Sequence, residues 1–212
     1  MNMISPVYAR LVLRELERRG IDPAPLFAGL RTRREELLRG GDIAIEDFLH
    51  ILRAGARLLG DRQLGFMLGR NMHVMAMGPV GVAISSAPNL RDGLQVLESL
   101  TRLHATYVDI GARSTLHGMT VTILYQHDTG DLERFHTETA MILLQQYIET
   151  LTGEPICDVQ FRLAIPEPEN SAEYTNALHG HISFGAAANE VDIPHRWLDL
   201  PSPYYLSLIH IS

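Results

Sequence analysis

The sequence predicts an α+β fold, in which a helical N-terminal half packs on a C-terminal half of mixed helices and strands. Two observations predict this fold. Apolar residues recur at helical spacing as far as about residue 105, whereas the alternating pattern typical of strands begins at Tyr107. Beyond that point, short strand patterns and one long helical pattern follow each other without the regular alternation of a parallel α/β sheet, so a small, mainly antiparallel sheet is expected.

Each helix predicted in the first half has an apolar stripe and a recognisable start or stop. The first begins at Ser5-Pro6 and ends at Gly20, with Tyr8, Val12 and Leu16 on one face. Asn89 is expected to cap a later helix whose stripe continues to about residue 103. A turn over residues 22–25 is expected to lead into a short helix that runs through Leu30. A longer helix is predicted to start at Asp42 or Ile45 and to end at Gly60, and the remaining helices cover residues 33–38, 62–70 and 79–86.

In the second half, strands are predicted over residues 107–110 and 119–125, with Gly118 near the hairpin. Asp131 is expected to cap a long helix that runs to Leu151 and ends before Gly153 and Pro155. The remaining strands are predicted over residues 159–165, 181–184 and 190–193, and a short helix over 171–178.

The 212 residues are 46% apolar and 20% charged, which is typical of a globular chain with one large domain or two closely packed lobes. We expect one domain over residues 1–203, with a helical lobe at about 1–105 and a mixed lobe at about 106–203. Residues 204–212 are atypical for this composition, and we interpret them as an artificial end.

The net charge of −7 argues against binding to nucleic acid by this chain alone. All 18 basic residues are arginines; residues 1–70 carry a balance of +3, and the rest of the chain −10. Because affinity for phosphate depends on cationic side chains, the mild N-terminal excess is interpreted as a solvated helical face.

The single cysteine, Cys157, excludes an internal disulfide and is compatible with a reducing cytosol. The N-terminal helix is interrupted by arginines, so no signal peptide is predicted. The longest uncharged run, Met75–Leu90, contains glycines and prolines and is too short to span a bilayer. A cytoplasmic location without membrane contact is therefore expected.

The usual sequence patterns of enzymes and metal sites are missing. The closest histidine spacing is His179-Gly180-His181, and neither a His-Glu-x-x-His nor a Cys-x-x-Cys pattern occurs, so no metal or cofactor is predicted. Ser85-Ser86 lacks the glycines of a nucleophile elbow. The sequence thus favours a binding module, and a stand-alone binding protein or small hydrolase is the alternative.

A ligand cavity is expected where the long helix of the second half meets the strands. Its wall would be mainly apolar and aromatic, which suits a small organic molecule with one polar or acidic end better than a sugar. Two further residues, His136 and Tyr147, lie on or near the inward half of the long helix. The five predicted ligand-binding residues are His104, Tyr107, Tyr125, Met141 and Gln145.

Alternatives remain open for this site. Met141 and Tyr147 are equally compatible with an ordinary core, Gln145 with solvent or a partner subunit, and the whole region with a solid core that has no cavity. An acidic ligand would be held by charged His104 or by an arginine, for which Arg102 and Arg113 are nearest in sequence.

Short motifs, in a fixed order, give the chain a resemblance to a known family. The segment Leu64–Leu100 reads LGFMLGRNMHVMAMGPVGVAISSAPNLRDGLQVLESL. It is preceded by Arg19-Gly20-Ile21-Asp22-Pro23 and Leu59-Gly60-Asp61. The later motifs are Phe161 to Pro166, Tyr174, Phe184-Gly185, Asn189-Glu190-Val191 and Leu198-Asp199-Leu200-Pro201. Together these resemble the N-terminal effector-binding domain, of the arabinose-binding type, found in AraC/XylS transcription regulators. One departure is Leu178-His179-Gly180, where the family usually has Phe-Gly.

The resemblance implies a bacterial, homodimeric transcription regulator that senses a small organic effector. It also implies that DNA is bound through two helix-turn-helix units of a C-terminal domain, which this sequence lacks. Effectors differ among family members, so the resemblance assigns no ligand residues. The five candidate residues therefore come from their placement alone.

Overall fold

The computed structural model describes residues 3–60, 64–72, 79–104, 107–126 and 130–205, without the side chains of 102–104. Its helices are α1 Val7–Arg18, α2 Arg34–Arg39, α3 Ile45–Leu59, α4 Leu64–Asn71, α5 Pro79–Ser85, α6 Leu90–His104, α7 Glu133–Thr152, α8 Ala172–Ala177 and α9 His195–Leu198. Its strands are β1 Met3–Ile4, β2 Ile43–Ala44, β3 Val108–Ser114, β4 Gly118–Tyr125, β5 Gln160–Arg162, β6 His181–Ser183 and β7 Asn189–Pro194.

The helical half is built on α1 and α3, which pack against each other around fully buried Leu13, Leu16 and Phe48. The antiparallel pair β1–β2 joins the start of the chain to the start of α3. This pair was not predicted, because strands of two residues are too short to show an alternating pattern.

The mixed half contains a five-stranded sheet in the order β3-β4-β7-β5-β6. Only the β5–β6 pair is parallel, so the prediction of an α+β fold with a mainly antiparallel sheet is confirmed. Alternate residues of β4 and β7, including Val121 and Val191, are fully buried on the face towards the helices. On the other face, Thr122 donates a 3.1 Å hydrogen bond to Glu190 of the neighbouring strand.

Two predicted helix starts can be compared with the structure. The side chain of Asn89 accepts a 2.9 Å hydrogen bond from the backbone N–H of Asp92, so it caps α6 as expected. Asp131 does not cap α7: the helix begins after Leu132, and the Asp131 carboxylate instead accepts a hydrogen bond from Arg53 of α3 at 2.7 Å. Asp131 therefore links the two halves of the molecule.

The 20-residue helix α7 is the centre of the fold. One apolar side of α7 is covered by the chain itself, because Met141, Ile148 and Leu151 are fully buried. On another side α4 lies against it so closely that a Cβ atom added at Gly69 would be 2.9 Å from Ile142. Among the described helices, none is long and apolar enough to cross a membrane.

Candidate functional site

A cavity of about 540 Å³ runs along one side of α7, between this helix, α6 and strands β3 and β4. This volume lies in the range of small-molecule sites. Six of the α7 residues that line it lie along one face of the helix. They are His136, Thr139, Ala140, Leu143, Tyr147 and Thr150. With a rise of about 1.5 Å per residue, the face from His136 to Thr150 is roughly 21 Å long.

The inner end of the cavity is aromatic. Tyr107 and Tyr125 of the sheet lie beside His136, with ring centroids 5.6 and 5.4 Å from the imidazole centroid. Phe135 packs edge-on against the same imidazole at 5.1 Å. Tyr8 reaches the cavity from α1. This end therefore lies where the cores of the two halves meet, since Tyr107 and Phe135 belong to the helical core and Tyr125 contacts both cores.

His136 has a fixed tautomer. Its Nδ1 atom lies 2.8 Å from the carbonyl oxygen of Leu132, and because a carbonyl only accepts, Nδ1 carries the proton. The imidazole is 4% exposed, and burial lowers its pKa to about 4, so the ring is neutral near pH 7. Nε2 is then an acceptor, and in the described part of the chain it has no hydrogen-bond partner.

The hydroxyl of Tyr125 is the second polar group at the inner end. It is buried, and no described residue forms a hydrogen bond with it. Burial, chiefly, raises the pKa of Tyr125, and the nearby charge of Glu133 raises it further, so the phenol stays protonated and can donate. Buried polar atoms without partners are uncommon in proteins, and two of them at one end of a cavity suggest a missing partner.

The middle of the cavity offers almost no free polar group. Leu97, Ile110 and Ile123 line it together with α7. The hydroxyl of Thr101 donates to the carbonyl of Leu97 at 2.5 Å, and that of Thr139 to the carbonyl of Gly65 at 3.1 Å. Both hydroxyls therefore already donate hydrogen bonds within the protein, and the middle of the cavity offers a ligand mainly apolar contacts.

The outer end is more exposed and carries charges. Arg70 and Asn71 of α4 lie on one side. Glu149 lies on the other, where its carboxylate is 2.6 Å from Nδ1 of His179. Tyr147 also lines the cavity, but its hydroxyl is directed at α6, where a Cβ atom added at Gly93 would lie 2.2 Å from it.

The structure brings together only part of the predicted ligand site. Tyr107 and Tyr125 line the cavity, but Met141 and Gln145 do not, so the prediction is corrected for these two. Met141 is fully buried in the core. Gln145 is buried on the opposite side of α7, where its amide donates to the carbonyl of Ala177 and accepts from the N–H of His179. The side chain of His104 lies outside the described residues.

The arginine near the cavity is also not one of those considered from sequence. Arg113 is exposed on β3 and does not line the cavity, and the side chain of Arg102 lies outside the described part. Arg70 and Tyr8 were missed because they come from the helical half, and nothing in the sequence shows that α1 and α4 reach the sheet. His136 could have been preferred over Gln145, because it shares a helix face with Tyr147.

In the described part of the chain, no group of three or more His, Cys, Asp or Glu side chains is placed to hold a metal ion. Cys157 is exposed and lies outside the cavity. The groups that are free to act in the cavity are an imidazole acceptor and a phenol, which bind ligands by hydrogen bonds. The geometry therefore describes a binding site.

The chain is similar to known transcription regulators. The ornithine utilization regulator of Pseudomonas aeruginosa is 27% identical over 203 residues, which are 95% of this chain and 58% of that protein. An HTH-type transcriptional regulator of Mycobacterium bovis is 25% identical over 213 residues, with coverage of 93% and 60%. The chain thus spans about three fifths of the length of these relatives.

A solved structure shows the same fold. The transcriptional regulator CdpR from Pseudomonas aeruginosa superposes with a TM-score of 0.67 at 19% identity, covering 97% of this chain and 60% of that one. The family model described as the arabinose-binding domain of AraC transcription regulators, N-terminal, matches residues 20–202. All three of these proteins are named as regulators. The chain therefore belongs to the family of arabinose-binding N-terminal domains of AraC transcription regulators.

Proposed function

We propose that residues 1–203 form the effector-sensing domain of a transcription regulator, and that the effector binds in the cavity along α7. The observation that carries this proposal is a pair of polar atoms at the aromatic inner end of the cavity, His136 Nε2 and the Tyr125 hydroxyl. Neither has a hydrogen-bond partner among the described residues. A bound molecule would supply the missing hydrogen bonds and fill the apolar space.

The wall of the cavity favours an elongated, mainly apolar organic effector over a sugar. Every sugar hydroxyl buried without a partner costs about 1–3 kcal/mol, and the hydroxyls of Thr101 and Thr139 are already engaged. We propose Tyr8, Tyr107, Tyr125 and His136 as the residues that contact its inner end.

The position of the cavity supports a regulatory role. Because its inner end lies where the two cores meet, a bound molecule contacts both the helical and the mixed half. A ligand that prefers one arrangement of the two halves shifts the population towards it. We propose that this shift controls DNA-binding helices in the remainder of the full-length regulator.

The test is a cavity-filling substitution. Ala140 lines the middle of the cavity, and Ala140→Leu places a larger side chain in the lumen. Ala172→Leu, on exposed α8, makes the same chemical change outside it. A set of amphiphilic small molecules is screened by thermal shift on the wild type and both variants.

We expect compounds that stabilise the wild type and Ala172→Leu to lose this effect on Ala140→Leu. If the stabilising compounds act equally on Ala140→Leu, they bind elsewhere and the proposal is rejected. It is also rejected if no compound stabilises the wild type.

We further propose that the full-length regulator is a homodimer, because regulators of this type act on paired DNA sites. Sedimentation of the chain at tens of micromolar is expected to show a dimer, and a monomer would count against this domain as the dimerising part.

A further inference from the structure

The inner end of the cavity sets narrow requirements on what can bind there. His136 presents a lone pair at Nε2, because its protonated Nδ1 donates a hydrogen bond to the carbonyl of Leu132. The Tyr125 hydroxyl can donate a hydrogen bond, and it has no acceptor among the described residues. The two ring centroids are 5.4 Å apart, and both residues line the cavity, so the two side chains are neighbours at its inner end.

We propose that the effector places a neutral hydroxyl at this inner end, donating its hydrogen to Nε2 of His136 and accepting one from the Tyr125 hydroxyl. The proposal rests on the cavity being the effector site. It names the chemical class of the effector: an elongated apolar alcohol, rather than a fatty or aromatic acid bound by its carboxylate.

A carboxylate fits this end poorly. None of the described residues that line the inner end is a cation: they are phenols, a phenyl ring and a neutral imidazole. The nearest arginine, Arg53, is engaged with Asp131 at 2.7 Å. Burying an anion without a partner costs more than burying a hydroxyl, and a carboxylate has no hydrogen to give to Nε2.

An ammonium group also fits poorly. It could donate to Nε2, but the described lining of the inner end contains no carboxylate to balance its charge. A hydroxyl avoids both costs because it is uncharged.

Arg70 indicates the orientation of a ligand that has an acidic group as well. The guanidinium of Arg70, on α4, lies at the outer end of the cavity, and His136 lies at the inner end. The guanidinium approaches the carbonyl oxygen of Asn176 to 3.5 Å. If the effector also carries a carboxylate at its far end, this group would lie beside Arg70 in contact with solvent, while the hydroxyl occupies the inner end.

The experiment uses four probes with the same eight-carbon chain and different head groups: octanol, octyl methyl ether, octanoate and octylamine. Their affinities for the chain are measured by calorimetry at pH 7. The ether accepts a hydrogen bond but cannot donate one, so the ratio of octanol to ether affinity reports on the bond to Nε2. We expect octanol to bind at least about fivefold more tightly than the ether, and about tenfold more tightly than either charged probe.

Three variants assign the effect to its atoms. His136→Phe removes the acceptor, and the ratio of octanol to ether affinity is expected to fall to about one. Tyr125→Phe removes a donor that serves both probes, so both are expected to weaken together by about threefold or more. Tyr147→Phe is the matched control, since it also removes an unpartnered hydroxyl from a cavity residue, but one directed at α6. It is expected to leave the ratio unchanged.

The outcomes separate this inference from the proposed function. Octanoate or octylamine binding as tightly as octanol, or equal affinities for octanol and the ether, would overturn the hydroxyl assignment. The cavity would still be the binding site if Ala140→Leu abolishes that binding. If none of the four probes binds the wild type, or Ala140→Leu leaves all four affinities unchanged, the site itself is refuted and the inference falls with it.

Discussion

The phenol of Tyr174 donates a 2.6 Å hydrogen bond to the carboxylate of Glu138, a side chain that is only 1% exposed. The same carboxylate oxygen accepts a 2.7 Å bond from Arg134 one turn earlier in α7. Burial raises the pKa of Glu138, and these two donors oppose that rise by stabilising the charged form. The contact fixes α8 on the side of α7 that faces away from the cavity.

We predict that Tyr174→Phe lowers the free energy of unfolding by about 1.5–3 kcal/mol, because a buried carboxylate loses one of its two donors. Chemical denaturation of the variant and the wild type measures the difference. Tyr205→Phe is the control, since Tyr205 is 47% exposed and the change there is expected to be small. Equal losses from both substitutions would contradict the role of this bond.

Gly93 lets α6 approach α7. A Cβ atom at this position would lie 2.2 Å from the Tyr147 hydroxyl and 2.4 Å from Cδ1 of Leu151. We predict that Gly93→Ala destabilises the fold by about 1–3 kcal/mol through overpacking. Gly111→Ala is the control, because nothing lies within 4 Å of an added Cβ there. Adding Tyr147→Phe to Gly93→Ala should restore part of the loss, and no recovery would show that Leu151 alone resists the change.

His136 makes stability depend on pH. Its pKa is lowered from 6.5 to about 4 by burial, with a smaller contribution from Arg53, so between these values the unfolded chain binds more protons than the folded one. The free energy of unfolding therefore falls as the pH drops from 6.5 to 4, by on the order of 2–3 kcal/mol at pH 4.

The measurement compares the wild type with His136→Gln across this range. We expect the free energy of unfolding of the wild type, minus that of His136→Gln, to be constant between pH 7 and 8. On acidification this difference is expected to decrease. A difference that stays constant down to pH 4 would mean that the imidazole is not held neutral.

We also predict that this chain alone does not bind DNA in a sequence-selective manner. Its net charge of −7 opposes contact with phosphates. A gel-shift assay at low salt tests the expectation, and sub-micromolar binding to one sequence over a scrambled one would disprove it.

The sequence determined most of the secondary structure and the fold class. The periodicity of α6 and the alternation of β4 were sufficient because each element is long enough to repeat its pattern several times. The β1–β2 pair and the position of Asp131 could not be predicted in this way. Both depend on contacts between residues far apart in the chain, such as Asp131 with Arg53.

The candidate site divides in the same way. From the sequence alone, His136 and Gln145 lie nine positions apart in one helix, which places them on opposite sides of it at about 100° per residue. Only the tertiary structure decides which side meets the sheet, because both carry apolar neighbours and α4, α8 and the strands compete to cover them. Helix α4 covers one side of α7, where Gly65 and Gly69 pack closely against it. Helix α8 covers another side, where the side-chain amide of Gln145 donates a hydrogen bond to the carbonyl of Ala177. His136 then lies beside Tyr125, on the side of α7 where the cavity separates this helix from α6 and the strands β3 and β4.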